Sequence, residues 1–368
     1  YLLDLKRHHA GMPMMVSQFG VPSSLGAAHR GSLGRDQGHH TEQEAMAMDA
    51  DMLRLFNAIG LAGGLVFAWS DEWFKFTWNT WPRHAPVHSE RRALWHDVLT
   101  NEQFFGVIAH DPLRAGSRVI HESRTGITQV ALDHDASWVY LTLTFERAPS
   151  GVVELGFDII PGAGLTLPSG RAAPVNDVSV VVNIPQREAT CWIRGQIDPV
   201  LLDGLPPASL PKAEPNGWML QRLTMNRPYT VPGTTRYLDA DMLDIGRLIE
   251  GTWELNSPQY STQATWNYSE AHGETPATLR IRLPWGMLAM ADPSSLTALV
   301  PKDNTGGKPV KQVSWEPTGV VITGIGLVAD VPELGQAYAQ ITWEGWNRAQ
   351  YTERVKAVID GNWAQVDI

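Results

Sequence analysis

The sequence predicts an α/β unit followed by an all-β domain. Two observations carry this. A strand, a helix and a second strand follow one another between residues 14 and 69. From about residue 111 the texture changes to short segments of alternating polarity separated by turn residues.

The elements read in order as follows. YLLDLKRHH, residues 1–9, has the look of a helix already under way, so a further N-terminal portion is expected before it. Gly11 and Pro13 break the chain and lead into a strand at 14–18. A polar, glycine-rich loop fills 26–40. Thr41 then caps a helix, and Glu44 three residues on completes a capping box. Ala45, Met48, Met52, Leu55 and Ile59 recur at 3/4 spacing and predict its buried face. Gly60 ends it. GGLVFAW, 63–69, reads as a second buried strand, giving a parallel β-α-β unit. Loops after the C-terminal ends of such strands carry active sites, which places Gln18 and the segment Trp69–Trp73 on one face.

Beyond residue 111, TQVALDHD, WVYLTLTFE, GVVELGFDII, VSVVVNI and CWIRGQI predict the antiparallel strands of a β-sandwich. A proline-rich loop is expected over 203–233, further strands at 278–290, 319–328 and 336–343, and an amphipathic helix over 347–360. No internal repeat is visible.

Composition limits the function classes. The 368 residues carry a formal net charge of −10, which argues against a nucleic-acid binder. No run of ~18 apolar residues occurs, so no membrane-spanning helix is expected, and no signal peptide is visible. The single cysteine, Cys191, forbids an internal disulfide and leaves the compartment open. Fifteen tryptophans suit stacking on sugar faces and equally suit ordinary cores.

MPMMVSQFGVPSS (12–24) and GLAGGLVFAWSDEWFKFTWNT (60–80) resemble strands seven and eight of a clan A glycoside hydrolase TIM barrel of the family 2 type. RRALWHDVLTNEQFFGVIAHDP (91–112) resembles the segment that closes such catalytic domains. ALDHDASWVYLTLTFE, VELGFDIIPGAGLTLPSG and TLRIRLPWGMLAMADPSS resemble family 9 carbohydrate-binding modules and their DOMON-like relatives. The resemblance implies the C-terminal portion of a (β/α)8 barrel over 1–110, a carbohydrate-binding-like β-sandwich over 111–330, and a strand-and-helix tail over 331–368. It implies a carbohydrate-active protein, as part of a glycosidase that cleaves a β-linked glycan by a retaining two-carboxylate mechanism. The alternative is a non-catalytic polysaccharide binder or scaffold with a degenerate barrel. Its partners would be an oligo- or polysaccharide and the missing N-terminal half of the barrel, as a second chain or a further segment of this one. A secreted or cell-surface location follows from such substrates.

Retaining glycosidases need two carboxyl groups ~5 Å apart. The resemblance puts the nucleophile at Gln18, where an amide cannot form the glycosyl ester. Three readings stay open: an engineered knock-out, a natural departure, or a polar strand-end residue in a different register. The acid/base glutamate has no counterpart, and Asn101-Glu102 lies too late in the chain to be promoted. Glu72 is the remaining catalytic candidate, and a salt bridge to Lys or Arg is its ordinary alternative. Trp69, Asp71, Trp73, Trp78 and His29 are the substrate-binding candidates, with core packing as the alternative for the tryptophans. Asp36, His39 and His40 lack the spacing of a metal site. No cofactor is expected. A structural calcium at Asp133, Asp135 and Asp158 is weighed against solvated turns. Trp138 and Trp192 are read as a platform for sugar or as core. No nucleotide-binding loop or nucleophile elbow occurs.

Overall fold

The computed structural model describes residues 1–31, 33–84, 89–171, 174–301 and 317–356. The N-terminal unit holds α1 (Leu2–His8), β1 (Val16–Phe19), β2 (Ala27–Arg30), β3 (Asp36–Gly38), α2 (Glu42–Ala58), β4 (Gly64–Val66) and a single turn, α3 (Trp81–His84). Thr41 caps α2 through Glu44 N, and Glu44 returns a bond to Thr41 N, so the capping box forms. β1 and β4 pair in parallel, Val16 opposite Gly64 and Phe19 opposite Val66. The hairpin β2–β3 sits in the connection between β1 and α2.

The rest of the chain is mainly β. β5 (Ile108–Pro112) leads to β6 (Arg118–Glu122), β7 (Ile127–His134), β8 (Trp138–Phe145), β9 (Val152–Asp158), β10 (Val178–Asn183) and β11 (Glu188–Arg194). Then come β12 (Trp218–Leu220), β13 (Arg222–Asn226), β14 (Tyr229–Thr230), β15 (Tyr237–Leu238), β16 (Asp241–Asp244), β17 (Arg247–Glu250), β18 (Thr265–Ser269) and β19 (Thr278–Pro284). β20 (Met290–Asp292), β21 (Thr297–Pro301), β22 (Pro317–Val321), β23 (Ile325–Val331), β24 (Gly335–Ile341) and β25 (Tyr351–Val355) complete it.

One sheet runs β24-β23-β9-β10-β11-β17-β18-β19-β8-β7-β6, with β12 attached to β11. Every rung is antiparallel except β17–β18. Its two ends nearly meet. The Arg118 guanidinium on β6 donates to the Thr342 hydroxyl at 2.8 Å and to its carbonyl, and the His121 ring lies 3.2 Å from Tyr338 O on β24. Val153, Leu155, Phe157, Val178, Val180 and Val182 alternate inward and are wholly buried, the period-2 pattern of strands around a core. Leu25, Trp95, Val98, Leu99 and Phe104 of the N-terminal segment join the same core. Each such side chain contributes ~1.5–3 kcal/mol of burial.

Five expectations are corrected. The chain does not form part of a (β/α)8 barrel: alternation stops after one repeat, β1–β4 stays a two-stranded sheet, and the chain then enters a mixed sheet. Periodicity defines one β-α-β unit and says nothing of how often it repeats. The sandwich is replaced by one nearly closed sheet, because alternating strands serve either architecture and only long-range pairing decides. On α2 the buried stripe is Glu42, Ala45, Met46, Asp49, Ala50 and Phe56, while Met48 and Leu55 are exposed. The helix predicted over 347–360 is a strand at Tyr351–Val355, paired with β5 from Tyr351↔Pro112 to Val355↔Ile108; residues 357–360 lie outside the described residues. The expected loop over 203–233 also holds the short strands β12, β13 and β14.

Candidate functional site

The loop after β4 separates two concave surfaces. It is pinned by backbone bonds from Val107 N to Ala68 O, Ile108 N to Trp69 O and Asp71 N to Ile108 O, each 2.9–3.0 Å. A side chain at Gly106 would bring its Cβ to 2.2 Å from Asp71 N, so only glycine permits this approach. Gly106 N donates to Asp71 Oδ1 at 3.0 Å. Trp73 is buried and stacks on His96 at 4.9 Å, and His96 stacks on Phe104 at 4.0 Å. The Gln103 amide donates to the carbonyls of Trp73 and Lys75 and holds the turn between them.

On one side lies a groove of about 620 Å³ lined by His29, Phe74, Phe76, Trp78, Asn101 and Glu102, among others. Trp78 Nε1 donates to Ala28 O at 2.6 Å, and the Arg227 guanidinium lies 4.9 Å from its ring centre. Phe74 and Phe76 are exposed, and Phe76 leans on Trp81 at 4.3 Å. Lys75 Nζ stands 2.8 Å from Glu72 Oε2 and 3.7 Å from Glu102 Oε2, so two carboxylates share one ammonium at the groove's edge.

On the other side a cleft of about 500 Å³ opens between the N-terminal unit and the large sheet. Arg354 on β25 bridges two carboxylates: Nη1 and Nη2 donate to Glu42 at 2.9 and 2.8 Å, and Nε and Nη2 to Asp111 at 2.6 and 3.1 Å. Lys356 Nζ donates to Asp71 Oδ1, Ser23 Oγ and Phe104 O at 3.1–3.2 Å. Across the cleft Tyr140 donates to Asp135 Oδ2 at 2.6 Å. Arg282 lies over the Trp138 ring at 4.2 Å and donates to Ser261 O at 2.7 Å and to Gln263 O.

Burial governs the electrostatics. It pushes the carboxyl of Asp71 up to about 6 although Lys356 pulls the other way. Asp135 is pushed up to about 6 against the bonds from Tyr140, Ser137 and Trp138. His96 is held well below the usual imidazole range by burial, with Lys356 adding to the effect. It is neutral at pH 7.

The residues singled out in the sequence are divided between these places. Asp71 lines the cleft, and His29 and Trp78 line the groove. Glu72 reaches the groove's edge through Lys75. Trp73 is packed between the two surfaces. Trp69 is 78% exposed and lines neither. Gln18 is exposed on β1 and makes no side-chain hydrogen bond among the described residues. A third cavity of about 730 Å³, near the seam between β6 and β24, is lined by Asp135 but by none of the catalytic or substrate-binding candidates.

Glu42, His96, Asp111, Arg282, Arg354 and Lys356 were not singled out. Glu42 alone had a local signal, as the first residue of a capped helix. The others acquire meaning only through partners far along the chain.

The aspartates weighed for calcium do not assemble. Asp133 pairs with Arg114 at 2.6 Å, Asp135 is taken up by its own turn, and among the described residues no three His, Cys, Asp or Glu side chains gather to hold a metal ion. Trp138 is core, and Trp192 is half-buried with Nε1 on Thr190 Oγ1 at 2.9 Å.

Compared with protein-family models, curated proteins and solved structures, the chain matches none. With no family match and no alternating barrel, the resemblance to a clan A glycosidase barrel joined to a family 9 type binding module is overturned.

Proposed function

We propose that this protein binds carbohydrate, non-catalytically, in the groove beside the loop Asp71–Trp78. The observation that carries the reading is the groove's lining. Aromatic rings from Phe74, Phe76 and Trp78 stand beside the hydrogen-bonding side chains of His29, Gln37, Asn101 and Glu102. Flat apolar faces for the C–H surface of a sugar ring, next to amide, imidazole and carboxylate groups for its hydroxyls, make a suitable combination. The chain's acidic balance suits a neutral ligand.

Binding is favoured over hydrolysis by the state of the two catalytic candidates. Gln18 is a neutral amide on an exposed strand, and Glu72 is tied to Lys75. Neither offers a free carboxyl pair of the kind that retaining chemistry needs.

The test is calorimetric titration with β-glucan, mannan and arabinan oligosaccharides. One oligosaccharide class should bind saturably. Trp78→Ala and Phe76→Ala should each weaken it at least tenfold. Unchanged affinity in both variants would remove the groove from the reading, and no binding to any of the glycans would remove the reading itself.

A further inference from the structure

We infer that the cleft between the N-terminal unit and the large sheet is a second binding site, one that takes a small hydroxylated carboxylic acid of the sugar-acid class with its carboxylate on Arg282. The inference goes beyond the groove and does not depend on it.

Four cations line the cleft: Arg114, Arg282, Arg354 and Lys356. Three have carboxylate partners. Arg114 has Asp133, Arg354 has Glu42 and Asp111, and Lys356 has Asp71. Arg282 has none among the described residues, although only 5% of it is exposed. Its Nη2 is used on two backbone carbonyls, the Tyr140 side chain also bonds to the guanidinium, the Asp135 charge acts on it from beyond ion-pair distance, and its Nε–H is buried without a partner. Asp135 is near, but the Tyr140 hydroxyl bonds to it, and its other oxygen accepts from Ser137 N and Trp138 N. A guanidinium taken out of water calls for a hydrogen-bonded counter-charge, and carboxylate is the group whose two oxygens fit its fork.

Two further buried nitrogens on the same cleft lack partners. They are His96 Nε2, on a residue 3% exposed, and Trp253 Nε1. Buried polar atoms are almost always paired, so two orphan N–H donors and one ring nitrogen free to accept, around one cavity, mark the place of a molecule that carries both acceptor oxygens and hydroxyl donors. The walls define the rest of it. Glu42, Asp111 and Glu254 oppose a dianion such as phosphate, and their remaining lone pairs suit hydroxyl donors. A single carboxylate carrying several hydroxyls meets each demand.

The experiment titrates the full chain with D-glucuronate, gluconate and trigalacturonate, with D-glucose as the neutral control. Heat and tryptophan fluorescence are both read, since Trp138 and Trp253 line the cleft. At least one of the acids should bind one per chain and at least tenfold more tightly than glucose. Arg282→Lys should cost at least tenfold in affinity. Because that change disturbs a buried group, Asn256→Trp is the second variant: Asn256 is exposed at the rim, and a bulky ring there should block entry while the fold stands. Tighter binding of a monomer than of trigalacturonate, which carries three carboxylates, would support the inference, and tighter binding of trigalacturonate would overturn the single-carboxylate reading. Glucose binding as tightly as the acids, unchanged affinity in Asn256→Trp, or no binding of any acid would each overturn it. Trp78→Ala should leave acid binding unchanged, which separates this site from the groove.

Discussion

Lys356 Nζ meets Asp71 Oδ1 at 3.2 Å inside the protein, with 1% and 3% of the two side chains exposed. The pair ties the residue just after β25 to the loop after β4. Breaking a buried pair from one side leaves an uncompensated charge and costs about 3–5 kcal/mol. Lys356→Met should therefore lower the urea midpoint strongly. The double variant Asp71→Asn/Lys356→Met should recover most of that loss, because it removes both charges. A double variant as unstable as the single one would show that the pair's charges are not what matters.

Asp49 sits on the buried face of α2. Its Oδ1 accepts from Val21 N at 3.0 Å, and its Oδ2 has no partner. Burial pushes its carboxyl up to about 7. Between the ordinary carboxylate range and pH 7 the folded state thus holds a proton that the unfolded chain has released. This contribution makes stability fall as pH rises through that window, then level off above it. Asn keeps the acceptor and removes the charge. Asp49→Asn should stabilise the protein at pH 8, by at most about 4 kcal/mol, and the gain should shrink steadily toward pH 4. Urea titrations across this range check the slope. A gain that is equal at pH 4 and pH 8 would contradict it.

Gly106 permits backbone to lie on backbone at Ser70–Asp71, where a Cβ would stand 2.2 Å from one atom and 2.3 Å from another. Neither contact is the end of a flexible side chain. Gly106→Ala should cost about 1–3 kcal/mol or more. It should also weaken ligand binding in the groove and the cleft together, since the loop between them shifts. Thermal unfolding and the two titrations read this out. Full stability in Gly106→Ala would mean the strand segments part more easily than their contacts imply.

Gln18→Glu places a carboxylate on an exposed strand with nothing beside it to orient it. It should leave glycan affinity within twofold and produce no hydrolysis of aryl β-glycosides. Turnover in this variant would return the chemistry to β1 and displace the binding reading.

Local signals carried much of the fold. Thr41 and Glu44 form their capping box because it involves four consecutive residues. The apolar residues of Val152–Asp158 and Val178–Asn183 alternate because they share the core face, while the opposite face is largely covered by other parts of the chain. The buried face of α2 was misread because hydrophobicity alone chose Met48 and Leu55, whereas the helix turns Glu42 and Asp49 inward. Glu42 goes there to meet Arg354, which lies 312 positions away. Closure of the sheet depends on β24 coming to β6, again a long-range event. The candidate site was legible only in part for the same reason. Asp71 and Trp78 share a stretch that looks chemical and His29 lies in a polar loop, but Arg282 sits in a segment that reads as a plain strand and Lys356 in one that reads as an amphipathic helix.

The pairing of β25 with β5 also has a consequence for synthesis. Glu42, Asp71 and Asp111 are translated early, and the cations that neutralise them, Arg354 and Lys356, follow after 243 to 312 further positions. Until those two residues emerge from the ribosome, the nascent N-terminal unit carries three acids with their cationic partners still unmade. β25 must therefore be made before these acids are neutralised: a chain that stops short of Tyr351 would keep this set of acids hydrated and open.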